Sequence, residues 1–166
     1  GDLAYLTREA RRMLDDAVNI RGLKRFAVDH AGEVPNPPKA EPTGKKVAII
    51  GGGPGGLSAA YYLALMGHQV TIYEKRNQLG GMLRYGIPDY RFPRVLLDAE
   101  IQSILSLGIE VHTGVDVGQK ITFEDLRRQY DSLYIAIGAH TDKKTGIEGE
   151  DSLGVISAVK MLRSIG

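Results

Sequence analysis

Three glycines and one acid carry the first chemistry in this chain. The run 46–74, KVAIIGGGPGGLSAAYYLALMGHQVTIYE, sets Gly51, Gly53 and Gly56 in the spacing GxGxxG. An apolar stretch, Val47 to Ile50, precedes them, and Pro54 opens a helical pattern. Gly51 permits a tight strand-to-helix turn, Gly53 lets the backbone approach a pyrophosphate, and Gly56 lets helix and strand pack closely. The free N–H groups and positive end of the helix then attract a diphosphate. A second apolar run, Val70 to Tyr73, ends on Glu74, where a carboxylate accepts both hydroxyls of an adenosine ribose. A small residue at Ala60 and a helix stop at Gly67 complete the pattern. It points to an adenine dinucleotide. Which one stays open at this level, since an NAD-dependent dehydrogenase would use Glu74 in the same way.

Strands and helices must alternate to present these residues. Val47–Ile50 reads as a buried parallel strand, with no polar alternation. Pro93 is placed for the first turn of a helix running to about Leu107, with Val95, Leu96, Ile101, Ile104 and Leu105 on its buried side. Residues 109–112 form a short third strand, and Thr122 to Asp125 is a capping-box variant opening a helix to about Tyr130. Residues 132–137 are a fourth strand, halting at Gly138, and Ser157 caps a last helix. This order predicts an α/β fold with a parallel sheet. Ahead of it, residues 3–30 read as helical, opened near Thr7 and broken in two at Gly22. Prolines 35, 37, 38 and 42 make residues 32–44 an extended linker. The expected organisation is thus a helical appendage over 1–31, a linker over 32–44 and a nucleotide domain over 45–166.

Composition removes several function classes. The 166 residues carry a net charge of +1, so no strong basic field draws nucleic acid or an anionic membrane. No apolar stretch approaches the ~20 residues of a membrane span. There is no cysteine, which excludes a disulfide framework or a cysteine-ligated iron–sulfur cluster within these residues and fits a cytoplasmic location. Histidines 30, 68, 112 and 140 lack metal-ligand spacing and read as surface or strand-end residues, so no metal site is expected. No side chain is singled out as a catalytic acid or base.

A second glycine pair, Gly80-Gly81, follows the acid and leads into MLRYGIPDYRFP. It lets another backbone segment approach the same diphosphate. The stretch GGMLRYGIPDYRFP resembles the signature of the flavin domain in the glutamate synthase small-subunit group of FAD- and NAD(P)H-dependent oxidoreductases. NIRGLKRFAVDH at 19–30, SLYIAIGA at 132–139 and GIEGEDSLGVISAVKML at 146–162 are similar to other segments of that group. Ile137 departs from it, standing where many two-dinucleotide flavoproteins carry threonine, and so does Glu148, where proline is common.

The resemblance implies a Rossmann-like, three-layer FAD-binding half-domain and a set of cofactor contacts. Gly51, Gly53, Pro54 and Gly56 meet the diphosphate, and Glu74 takes the adenosine ribose with Lys75 beside the adenine. Gly80 and Gly81 approach the phosphates and ribityl chain. Arg84 neutralises a phosphate or steadies the flavin, and Tyr85 to Pro88 lie near the isoalloxazine. Ala136, Gly138 and Ala139 supply backbone from the opposite side. In the parent enzyme, electrons would pass between NAD(P)H and FAD, then to an iron–sulfur cluster or carrier. A second GxGxxG for NAD(P)H is absent from this sequence. The chain is therefore expected to be the N-terminal part of a flavin domain, partnered by an NAD(P)H-binding domain and an iron–sulfur domain or subunit. The alternative is a non-catalytic module that only pairs with a partner chain.

Overall fold

The computed structural model describes residues 18–32 and 34–165. The chain divides into two units, Gly1–Pro35 and Asn36–Gly166. In the first, helix α1 spans Ile20–His30. Asn19 caps it, its side-chain oxygen accepting from the Gly22 N–H at 2.9 Å. Gly22 therefore lies inside the first turn and does not break the helix. A glycine costs a helix about 1 kcal/mol in mid-run, and a good cap offsets a comparable amount. The expected helix start at Thr7 lies outside the described residues.

The second unit is built on a four-stranded parallel sheet of order β3-β2-β1-β4. The strands are β1 (Lys46–Ile50), β2 (Gln69–Glu74), β3 (Glu110–Thr113) and β4 (Ser132–Ile135). Between them run α2 (Pro54–Leu65), the single turn α3 (Met82–Tyr85), α4 (Arg94–Leu105) and α5 (Phe123–Gln129), and α6 (Ala158–Ile165) follows β4. Val47 to Ile50 are all buried because both sheet faces are covered. On one face Ile49, Val70 and Ile72 pack with Leu57, Ala60 and Ala64 of α2 and Leu97 and Ile101 of α4. On the other, Ala48, Ile50 and Tyr73 pack with Leu126 of α5. The Tyr73 and Tyr130 hydroxyls are 2.9 Å apart, and burial with this contact pushes the Tyr73 phenol well above its usual range. The three-layer, Rossmann-like reading holds.

Several local expectations are met and others shift. Thr122 caps α5 through its hydroxyl, which accepts from the Asp125 N–H at 3.0 Å, and the Asp125 carboxylate returns to Thr122. The Ser157 hydroxyl accepts from the Lys160 N–H at 2.9 Å and starts α6. Pro93 is the cap of α4 and not its first residue. The buried face of α4 is also different: Val95 is 78% and Leu96 44% exposed, whereas Leu97 is buried. Three consecutive apolar residues fit more than one helical stripe, and packing on α2 selects Leu97. The second half of the proline-rich stretch is fastened to the sheet unit. Asn36 donates to the Ser103 carbonyl at 2.7 Å, and the Ala40 N–H to the Leu65 carbonyl at 2.8 Å.

Leu126 is completely buried beneath the sheet, so Leu126→Ala should cost about 3 kcal/mol in urea unfolding. Val95→Ala, on the exposed face of α4, should cost about 0.5 kcal/mol or less in the same measurement.

Candidate functional site

At the carboxyl ends of β1, β2 and β4 the glycine turn opens a cleft of about 850 Å³. The β1–β2 register pairs Ile50 with Tyr73, so the glycine turn and Glu74 leave the sheet side by side. The Gly51 N–H continues the ladder to the Tyr73 carbonyl at 2.8 Å. Gly56 stands beneath the cleft; a Cβ there would come within 1.9 Å of the Gly51 carbonyl oxygen. Only glycine lets α2 start this close to the turn. Gly53 has no side chain to cap α2, and Pro54 has no N–H. The N–H groups of the first turn, at Gly55 and Gly56, are therefore left without intrahelical partners.

Gly81 reaches the same place from the other glycine pair. Its φ is +52°, and a Cβ would lie 2.7 Å from the Gly53 Cα. Gly80 sits just behind, its N–H donating to the Gly52 carbonyl at 2.8 Å. Two glycine segments distant in sequence thus meet backbone to backbone at the mouth of α2. Ala136 and Gly138 form the opposite wall, while Ala139 is exposed outside it.

The Glu74 carboxylate is buried and lines the cleft. One oxygen accepts from the Gly52 N–H at 2.7 Å and the other from the Arg76 N–H at 2.8 Å. Lys75 lines the cleft too, paired with Asp116 at 2.7 Å, but its side chain is mostly exposed, so the pair contributes little to stability. Arg76 lays its guanidinium 4.4 Å from the centre of the Tyr85 ring.

Arg84 is the clear departure from expectation. Its Nε donates to the Leu79 carbonyl at 2.6 Å, and its Nη2 pairs with Asp98 of α4. The side chain is buried by these contacts and does not line the cleft. A buried guanidinium is held by whatever satisfies it, and here that is the Leu79 carbonyl together with Asp98 of α4. Tyr85 to Pro88 also lie away from the cleft wall, where Met82 takes the neighbouring place.

Two residues that no motif marked complete the site. His140 and Arg163 both line the cleft. Arg163, on α6, donates through Nη2 to the His140 carbonyl. Asp142 secures that helix by accepting from the Val159 N–H at 3.2 Å and pairing with Ser157. Among the described residues, His140 Nδ1 and Arg163 Nε are buried side-chain nitrogens without hydrogen-bond partners. His140 is half-buried beyond the end of β4, in keeping with its reading as a surface or strand-end residue. Its position two residues past Gly138 was the available signal; Arg163 had none.

A parallel α/β sheet with a glycine turn, an acid and a cleft at its carboxyl edge defines a dinucleotide-binding architecture. Residues 49–109 match the family described as NAD(P)-binding Rossmann-like domain. Curated proteins similar to the chain include oxidoreductase subunits. The chain is 46% identical over 85% of its length to the NADPH-Fe(3+) oxidoreductase subunit beta of Geobacter sulfurreducens, covering 22% of that protein. It is 38% identical over 89% of its length to the glutamate synthase [NADPH] small chain of Bacillus subtilis, covering 31% of it. Among solved structures, FprA of Mycobacterium tuberculosis in complex with NADPH superposes with a TM-score of 0.66 at 25% identity, over 71% of this chain and 28% of that one. The chain thus spans between 22% and 31% of the length of these curated relatives. No helix among the described residues is long and apolar enough to cross a membrane.

Burial, first, and then the Arg163 and Arg76 cations hold the His140 imidazole below its usual value of 6.5. An NMR titration of the His140 ring protons should therefore show a midpoint below 6.5, and Arg163→Gln should raise it. The sign for stability follows. Below 6.5 the unfolded chain binds more protons at this residue, so stability falls as pH drops from 6.5 toward the folded midpoint and is flat above. A midpoint at or above 6.5 would contradict this half-buried placement beside Arg163 and Arg76.

Proposed function

We propose that this cleft binds FAD, and that the chain is the flavin-binding part of an NAD(P)H-dependent oxidoreductase that passes electrons to an iron–sulfur cluster or carrier. The observation that carries the reading is the meeting of Gly53 and Gly81 beside the open start of α2, with Glu74 at its flank. A diphosphate fits such a cradle because backbone N–H groups converge where no Cβ intrudes. A carboxylate offers about four acceptor positions. The Gly52 and Arg76 N–H groups occupy two of those at Glu74, leaving two for the vicinal hydroxyls of a ribose. Gly51, Pro54 and Lys75 line the remaining path, and Ala136 and Gly138 close it.

Support for FAD over NAD comes from the second glycine segment and from the resemblance carried by GGMLRYGIP. When bound, FAD supplies hydride and single-electron transfer; this chain's residues hold and orient it. We assign no proton-transfer role to any side chain. The relatives' greater lengths support placing the NAD(P)H-binding domain outside these residues, and the words subunit and small chain in their names support a partner chain. A second reading, a module that only pairs with another chain, draws on β4, an edge strand whose Tyr134 and Ile135 are exposed.

The deciding experiment is an FAD titration of the 166-residue protein, followed by flavin fluorescence and the visible spectrum. Saturable binding that equimolar NAD⁺ does not displace is the expected outcome. Gly53→Ala separates binding from folding, since its Cβ would rest 3.6 Å from the Gly81 Cα, an ordinary contact. It should melt like the parent yet bind FAD about tenfold more weakly, because the methyl group intrudes on the cradle. Displacement of FAD by equimolar NAD⁺ would make the cleft a pyridine-nucleotide site instead. No binding of either would favour the pairing module.

A further inference from the structure

We propose that Arg163 is a further cofactor-binding residue of this cleft, its guanidinium taking the diphosphate of the dinucleotide; this rests on the dinucleotide reading above. A diphosphate brings negative charge that the glycine turn meets only with N–H groups. The three cations that follow Glu74 most closely are already engaged. Arg84 is turned onto Leu79 and Asp98, Lys75 is paired with Asp116, and Arg76 lies over Tyr85. Arg163 differs from all three. Lys75 and Arg76 line the cleft with it, but of these four cations Arg163 alone keeps, among the described residues, a buried nitrogen (Nε) without an acceptor, while its Nη2 holds the His140 carbonyl.

A buried donor left unpaired is costly, and a phosphate oxygen is an acceptor that removes the cost. The backbone around it leads to the phosphate end of the cleft. A Cβ on Gly51 would fall 2.4 Å from the Ala136 carbonyl oxygen, so the strand end at 136–137 packs directly on the glycine turn. His140 follows within the same turn, where a Cβ on Gly138 would lie 3.3 Å from its Nε2. The carbonyl that holds Arg163 is therefore carried by the segment that walls the diphosphate cradle. His140, neutral and with its own Nδ1 unpaired, adds a polar atom there without adding charge. The Asp142 and Ser157 contacts make α6 a mount that points this arginine inward.

The test compares ADP with adenosine, and both with FAD, on the parent protein, Arg163→Gln and Arg163→Lys, by calorimetry and flavin fluorescence. Arg163→Gln should weaken FAD and ADP about tenfold, the loss of one charge-assisted bond, and leave adenosine within about twofold. Arg163→Lys should recover part of the preference for ADP over adenosine, and added salt should weaken ADP binding more in the parent than in Arg163→Gln. Because α6 buries no residue, the variants should keep the parent's circular dichroism and melting midpoint. The ratio of ADP to adenosine affinity reports the phosphate contact even if they do not. An unchanged ratio in Arg163→Gln would overturn the assignment. A parent protein that binds ADP but not FAD would overturn the flavin reading alone, the ADP ratio still deciding Arg163. A parent that binds neither would overturn both.

Discussion

The geometry of the cleft depends on one buried carboxylate. Glu74 ends β2 and accepts from the Gly52 N–H of the turn that ends β1 and from the Arg76 N–H of the chain beyond it. Burying an ionised group is costly unless hydrogen bonds replace its water, and two charge-assisted bonds do so here. The consequence is positional. The turn cannot move away from the acid without breaking the Gly52 bond, so the start of α2 and the Glu74 carboxylate keep a fixed spacing. Leu79 closes the same corner: a Cβ on Gly52 would lie 2.2 Å from its methyl group. The acid proposed to take the ribose is thus also a structural one, and each role constrains the other.

Much of this was legible because the signals are local. A strand buried on both faces shows as a continuous apolar run, and GxGxxG marks a close approach that no other residue allows. A cap such as Thr122 or Ser157 needs only the residues three ahead of it. Where the outcome depended on long-range packing, the pattern was ambiguous. Val95, Leu96 and Leu97 are chemically alike as a run, and only the position of α2 decides that Leu97 turns inward. Gly22 read as a break because glycine is a poor helix former, but a cap at Asn19 absorbs it in the first turn. Element ends moved by one or two residues for the same reason: hydrogen bonding to a neighbouring strand sets them, as at β3 and β4.

The arginines show most sharply where local reasoning stops. Arg84 follows a glycine pair and looks placed for a phosphate, yet its guanidinium is held by the Leu79 carbonyl and by Asp98 of α4. An arginine has a long reach and a strong need for acceptors, so the acceptors decide its direction, and Asp98 is fourteen residues away. Arg163 is the converse. It lies far from every glycine of the motif, on a helix whose approach is set by Asp142 and Ser157. A cradle made of glycines keeps side chains off its own turn. Lys75 and Arg76 reach the cleft from just beyond β2, but their side chains are turned to Asp116 and to the Tyr85 ring. Arg163 crosses to it from α6 and arrives with a buried donor unused among the described residues.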